Sequence, residues 1–312
     1  MKKVLVVGGA GYVGGHLVDL LTTCHSVRVF DNLLYEDSYL KDVDFIRGDV
    51  TNIKQLRPHL DWADTVVWLA AFVGDPACAV NPELTMDVNV KSVENLVKNF
   101  DGKIIFTSTC SVYGAQSGEL TEESDVSPLS IYARSKLMAE NILLKRANCL
   151  ILRLGTLFGV SDRYARLRVD LVVNVLTIRA KFEGKISIFG GDQFRPLLHV
   201  KDVGRLIFSQ VESENSGVYN LHSENLSMRG LANLIYKVIP SVKIQYTDSP
   251  FQDTRNYRVS SLKAKSTLGF SPDYAVADGI TELSRLVDSG RITNFANPRY
   301  TNVDIIRLKE NR

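Results

Sequence analysis

The chain has 312 residues, 45% of them apolar, and a formal charge of only +2 from 37 basic and 35 acidic side chains. A chain of that size buries a core without staples, and its near-neutral balance excludes nucleic acid or an anionic membrane as the main partner. Cys24, Cys78, Cys110 and Cys149 show neither CxxC spacing nor a histidine cluster, which points to reduced thiols, no metal site and a cytoplasmic protein.

In chain order, an apolar run over residues 3–7 comes first. It is too short for a signal-peptide core, is closed by glycines, and reads as a strand. No later stretch reaches the ~20 apolar residues of a membrane span. Residues 14–24 place Leu17, Leu20 and Leu21 on one helical face. Continuous apolar, β-branched runs recur at 26–31, 43–47, 65–70, 103–108 and 149–154, as strands covered on both faces require. Helical patterns lie between them at 82–100 and 132–146. Strand–helix alternation implies a parallel sheet with right-handed crossovers.

Beyond residue 155 the pattern loosens. Residues 158–167 read as a loop, 170–182 as a helix, and 185–189 and 217–221 as strands. Residues 227–238 and 277–287 read as helices, the first capped by Ser227. The tail after Asn294 has little periodicity and reads as an extended or mobile end. The architecture expected is α/β: a doubly wound parallel sheet over 1–155, with a smaller α/β substrate-binding domain over 156–312. That second domain is interleaved with the first and returns segments to the sheet.

The segment Gly8-Gly9-Ala10-Gly11-Tyr12-Val13-Gly14 follows the first strand and opens the first helix. Glycines at 8, 11 and 14 allow a tight turn, close approach to a pyrophosphate, and close helix-on-strand packing. The helix N-terminus offers N–H groups and partial positive charge to phosphate. The second strand ends in Asp31, at the spacing of a carboxylate that accepts from ribose hydroxyls and repels a 2′-phosphate. Asn32 follows, where an arginine would favour NADP. The pattern therefore predicts a Rossmann-type NAD site.

Tyr132-Ala133-Arg134-Ser135-Lys136 sets a phenol and an ammonium four apart on one helical face. A nearby cation lowers a phenol's pKa from its ordinary ~10, so the tyrosine is a candidate base.

These motifs, in this order, resemble the extended short-chain dehydrogenase/reductases, the nucleotide-sugar epimerase and dehydratase group. The likeness spans roughly residues 1–290. It implies an adenine-holding Asp49-Val50 after the third strand and a cofactor-flanking Leu69-Ala70-Ala71 after the fourth. Trp68 stands where the family usually has His. The resemblance further implies a hydroxyl at the end of the fifth strand that orients the reacting sugar hydroxyl: Thr109, with Ser111 as second candidate. It places Arg195, in Phe194-Arg195-Pro196, and Arg255, in Asp253-Thr254-Arg255, on the diphosphate of a sugar nucleotide. His199 reads as structural. Dehydratases of the family carry an acidic pair at the positions of Cys110 and Ser111, and decarboxylases an acid at the second, so both chemistries are disfavoured here.

The activity implied is oxidation at C4 of a nucleoside-diphosphate sugar, ending either in 4-epimerisation or in release of a 4-keto sugar. The Phe72–Pro76, 166–171 and 295–297 segments resemble a branch that oxidises GDP-heptoses at C4. A homodimer through helices near 83–99 and 132–147 is also implied. A non-catalytic NAD-binding regulator or scaffold is the reading from another class, and the intact Tyr, Lys and Ser/Thr set weighs against it.

Overall fold

The computed structural model describes residues 1–164, 166–247 and 256–310. In chain order the elements are β1 (Lys3–Val7), α1 (Gly14–Leu21), β2 (Ser26–Asp31), β3 (Asp44–Arg47), α2 (Ile53–Leu60), β4 (Thr65–Trp68), α3 (Asp75–Val80), α4 (Pro82–Met86), α5 (Ser92–Asn99), β5 (Lys103–Thr109), β6 (Glu119–Leu120), α6 (Ile131–Leu143), β7 (Cys149–Leu154) and β8 (Thr156–Phe158). They continue with α7 (Val172–Glu183), β9 (Lys185–Phe189), β10 (Phe194–His199), α8 (Val200–Gln210), β11 (Gly217–Leu221), β12 (Glu224–Ser227), α9 (Met228–Val238), β13 (Lys243–Thr247), β14 (Arg258–Val259), α10 (Leu262–Leu268), α11 (Val276–Asp288) and α12 (Asn302–Glu310).

Seven strands form one sheet in the order β11-β7-β5-β4-β1-β2-β3, and every pairing in it is parallel. Side-chain alternation along β1 shows why its run is uninterrupted. Val4 and Val6 enter one core with Leu17, Leu21, Val203 and Ile207, while Leu5 and Val7 enter another with Leu56, Val93, Leu96 and Leu143. A strand buried on both faces has no position for a polar residue. Chain direction across the sheet reverses at β1 and β4, so their C-terminal ends form the crevice where such sheets bind ligands.

The second half contributes β11 to this sheet and α8 against α1. Its own core gathers Phe158, Val173, Ile186, Leu197, Leu231 and Ile280. The smaller sheets are β12-β10-β8, β13-β9 and β14-β6.

Two expectations need correction. The 82–100 pattern is not one regular helix: α4 and α5 are joined through a π turn, Asp87–Lys91, that inserts Asn89 into the core. Nor is the tail extended. It carries α12, whose Ile306 is buried in a cluster with Phe72, Ala77 and Cys78. Only two or three apolar residues of that helix face inward, too few for a visible period.

Candidate active site

The glycine turn lies between β1 and α1. Gly8 has φ +83°, and a Cβ there would collide with the Ala70 backbone; one on Gly14 would collide with the Gly9 carbonyl. Leu69 and Ala70 both donate N–H to the Val7 carbonyl, at 2.8 and 2.9 Å, which pins that close approach. Ala71 follows them at the crevice, half-buried. Asp31 braces the turn by accepting from Ala10 N at 3.1 Å and Leu33 N at 2.8 Å, while burial pushes its carboxyl above the usual range. Asn32 accepts from Leu34 N, and Asp49 from the backbone and hydroxyl of Thr51. Val50 is buried in the core cluster that holds Phe30.

Tyr12 works in two directions. Its hydroxyl donates to the Gly159 carbonyl and accepts from Asn174 Nδ2, tying the turn to the second half. The backbone N–H groups of Tyr12 and Val13, at the mouth of α1, have no hydrogen-bond acceptor among the described residues. Two unpaired donors on a helix N-terminus beside a glycine-only approach fit a dinucleotide diphosphate. Asp31, at the end of β2 beside that turn, fits a ribose without a 2′-phosphate.

Next along the crevice, β5 ends at Thr109. Its hydroxyl caps the following 3₁₀ turn by accepting from Ser111 N at 3.1 Å, and its side chain faces Tyr132 closely enough to lower its phenol. Tyr132 is held by the cap of α6. Ser130 Oγ accepts from Ala133 N at 3.2 Å and donates to Asp75 Oδ1 at 2.6 Å. Lys136, one turn on, is 3% exposed, and its Nζ lies 3.9 Å from the centre of the Phe106 ring. The structure thus brings Thr109, Tyr132 and Lys136 to one place. Ser111 lies beside them, its Oγ 3.4 Å from Tyr257 Oη.

The electrostatics differ from the sequence-based expectation. Tyr132 keeps part of its surface exposed, yet packing around its hydroxyl pushes the phenol well up. Cys78 and Asp75 add to that rise, while Thr109 and Arg168 oppose it. The cation that chiefly favours the phenolate is therefore Arg168. Lys136 contributes less because its own burial lowers it to about 7, against a partial restoring pull from Glu140.

Two buried polar networks fix these groups. Asn89 accepts from Phe72 N at 2.8 Å and donates to Phe72 O at 3.0 Å and to Ser135 Oγ at 2.9 Å, so the π turn joins the loop after β4 to α6. Beneath Lys136, fully buried Glu140 is paired with Arg153 of β7 at 2.7 Å and accepts from Ser108 Oγ. Arg153 also donates to Tyr113 Oη at 2.9 Å, which donates to Asn220 of β11 at 2.8 Å. Cys110, at the first dehydratase-acid position, turns into this core and donates its thiol to Arg153 O.

Arg195 is buried on β10 and donates one guanidinium N–H to its neighbour's carbonyl, Phe194 O, at 2.9 Å. Arg255 lies outside the described residues. His199 is built into the fold, capping α8 at Lys201 N and meeting Glu282 at 3.2 Å. Trp68 is fully buried, and its indole N–H has no partner among the described residues. Sequence reasoning missed Arg168, Asn89, Glu140 and Tyr257 as parts of the site. The spacing of Tyr132, Lys136 and Glu140, four and four on one helical face, was the available signal for Glu140.

Residues 4–221 match a family model described as the NAD dependent epimerase/dehydratase family. The chain is similar to UDP-glucuronic acid decarboxylase 5 of Arabidopsis thaliana, 27% identical over 89% of this chain and 87% of that one. It is 27% identical to UDP-glucose 4-epimerase of Lactobacillus helveticus, over 89% of this chain and 94% of that protein. Among solved structures it resembles UDP-glucuronic acid 4-epimerase from Bacillus cereus in complex with UDP-glucuronic acid and NAD. That likeness has a TM-score of 0.76 and 25% identity over 92% of this chain and 99% of the other.

Proposed function

Because the chain belongs to the NAD dependent epimerase/dehydratase family, we propose that it oxidises C4 of a nucleoside-diphosphate sugar by hydride transfer. The observation that carries this reading is the convergence of the Thr109 and Tyr132 side chains, with Lys136 one turn on, beside the unpaired donors of the glycine turn. Bound NAD supplies the hydride acceptor. Tyr132 Oη takes the proton of the sugar hydroxyl as the hydride leaves, and Thr109 Oγ1 orients that hydroxyl. Arg168 favours the charged phenolate through its field, and Lys136 stands one turn away on the same helix. Arg195 and Arg255 are proposed to hold the substrate diphosphate, since guanidinium donors fork to phosphate oxygens.

Dehydration and decarboxylation need an acid where this chain has Cys110 and Ser111. Cys110 faces the core, and a neutral serine is too weak an acid to protonate a departing hydroxyl. The 4-keto sugar is then either reduced on its other face, which is 4-epimerisation, or released. A homodimer is part of the proposal, through the α4–α5 and α6 surfaces where Leu84, Met138 and Leu144 are exposed. Among the described residues no helix is long and apolar enough to cross a membrane.

Purified protein would be incubated with UDP-, GDP- and dTDP-sugars, following reduced nicotinamide by absorbance and the sugar by proton NMR. An epimer at C4 without net reduction, or a 4-keto sugar with stoichiometric reduction, is expected. A pentose from a uronic acid, a 6-deoxy-4-keto product, or no turnover of any sugar would refute the proposal.

A further inference from the structure

The chemistry above makes no use of a cleft beside the glycine turn. Tyr12, Ser161, Tyr164, Arg166, Arg291 and Arg299 line it, and no carboxylate is in its lining.

Arg166 is the unusual member. It is 9% exposed, yet its guanidinium donates only to neutral acceptors among the described residues: Arg299 O at 3.0 Å and Asn302 Oδ1 at 2.5 Å. Its backbone N–H, not its side chain, bonds Glu36, which also pairs with Arg299. Neighbouring Arg168, by contrast, is chelated by Asp170 at 2.6 and 3.1 Å. Burial, and then the charge of Arg168, pull Arg166 down to about 10. Asp170 and Glu36 restore only part of what burial takes, and neither bonds the guanidinium directly, so the site still favours an anion that arrives.

A second observation points to the same ligand. The Arg166 guanidinium sits 4.7 Å above the Tyr35 ring, and the Tyr35 hydroxyl is buried with no partner among the described residues. Tyr35 lies four residues past Asp31, and Tyr12 in the cleft wall is the residue whose N–H stands unpaired at the mouth of α1. One anion between these groups would meet donors from both sides.

We infer that Arg166 is a diphosphate ligand supplied by the second half of the chain, gripping the bound dinucleotide opposite the N-terminus of α1, with the Tyr35 hydroxyl as a further donor. Asn302 is its positioning residue. It accepts from Arg166, donates Nδ2–H to Val73 O at 2.9 Å, and donates its backbone N–H to Asp170 Oδ2 at 2.9 Å. The C-terminal tail is thereby part of the cofactor site. The inference rests on the reading of the glycine turn as an NAD site. A sugar nucleotide carries the same diphosphate chemistry, and the test separates the two.

Full-length protein, Arg166→Met, Arg166→Lys and Asn302→Ala would be titrated calorimetrically with ADP-ribose, ADP, adenosine, UDP and GDP at low and high salt. Charge-assisted hydrogen bonds to phosphate predict that Arg166→Met binds ADP-ribose and ADP roughly tenfold to a hundredfold more weakly. Adenosine, UDP and GDP should stay within about twofold, and the salt dependence of ADP-ribose binding should flatten. Arg166→Lys keeps the charge and should keep the salt dependence while losing part of the affinity. Asn302→Ala should weaken ADP-ribose less than Arg166→Met does. Unchanged ADP-ribose and ADP binding would overturn the inference, as would equal losses for adenosine and ADP. So would a loss confined to UDP or GDP, which would assign the arginine to the sugar nucleotide. Wild-type protein that binds no adenine ligand at all would remove the NAD reading first, and this inference with it.

Discussion

Replacing Lys136 with methionine should stabilise the fold, by an amount that shrinks as pH rises. The ammonium is buried, and its pKa falls from an ordinary 10.5 to about 7. The unfolded chain holds its proton up to about pH 10.5, whereas the folded chain releases it above about pH 7. Between those limits the unfolded state binds more protons, so wild-type stability rises with pH. Below about pH 7 the penalty for burying the charge is complete; above about pH 10.5 it is gone. At about 1.4 kcal/mol per tenfold, the full penalty is at most about 5 kcal/mol. The contact with Phe106 is formed by the ammonium and offsets little of it. Methionine fills similar space without a charge. Urea unfolding of both proteins should therefore show the variant ahead by about 2–5 kcal/mol near pH 6, and by under about 1 kcal/mol near pH 10. A variant advantage that stays constant over that range, or a variant less stable near pH 6, would refute the argument that Lys136 is held against its own charge.

Three other substitutions test the site. Tyr132→Phe should lower turnover by about a hundredfold to ten-thousandfold while leaving NAD affinity, measured by fluorescence titration, within about twofold; unchanged turnover would remove the proton-transfer assignment. Glu140→Gln leaves Arg153 buried without its anion and should cost about 3–5 kcal/mol in denaturant unfolding; a loss under about 1 kcal/mol would mean the pair is not part of what holds α6. Gly14→Ala sets a Cβ into the Gly9 carbonyl and should weaken NAD binding together with stability; normal affinity would show that the turn yields more easily than its packing implies.

Local features of this protein are legible from sequence because their causes are local. The runs 3–7, 26–31 and 149–154 are strands with those bounds, since burial of most of their side chains leaves a dense apolar signal. Ser227 caps α9 by accepting from Gly230 N at 3.0 Å, as a serine before an apolar-periodic segment does. Tyr132 and Lys136 share a face through helix geometry alone, and Thr109 meets them because it ends the adjacent strand. What escapes a linear reading joins distant segments. Asn89 sits in a stripe that reads as plain helix, and its role depends on Phe72 and Ser135 lying against the π turn. Asn302 belongs to a tail without period, and its partners are more than a hundred residues away. The influence of Arg168 on Tyr132 depends on how a loop of the second half folds back over the first.

The helix that carries Tyr132 rests on charge as well as on apolar packing. Beside Ala139 and Leu143, its inward face carries Ser135, Lys136 and Glu140, all buried, and Glu140 is gripped by a guanidinium from the neighbouring strand. An apolar helix can slip or roll a little and find a new packing at small cost. This one cannot, because any displacement separates two opposite charges in a place water does not reach. The fork of Arg153 therefore acts as an index pin: it sets the rotation and height of α6, and with them the point in space where the hydroxyl of Tyr132, eight residues away, is presented.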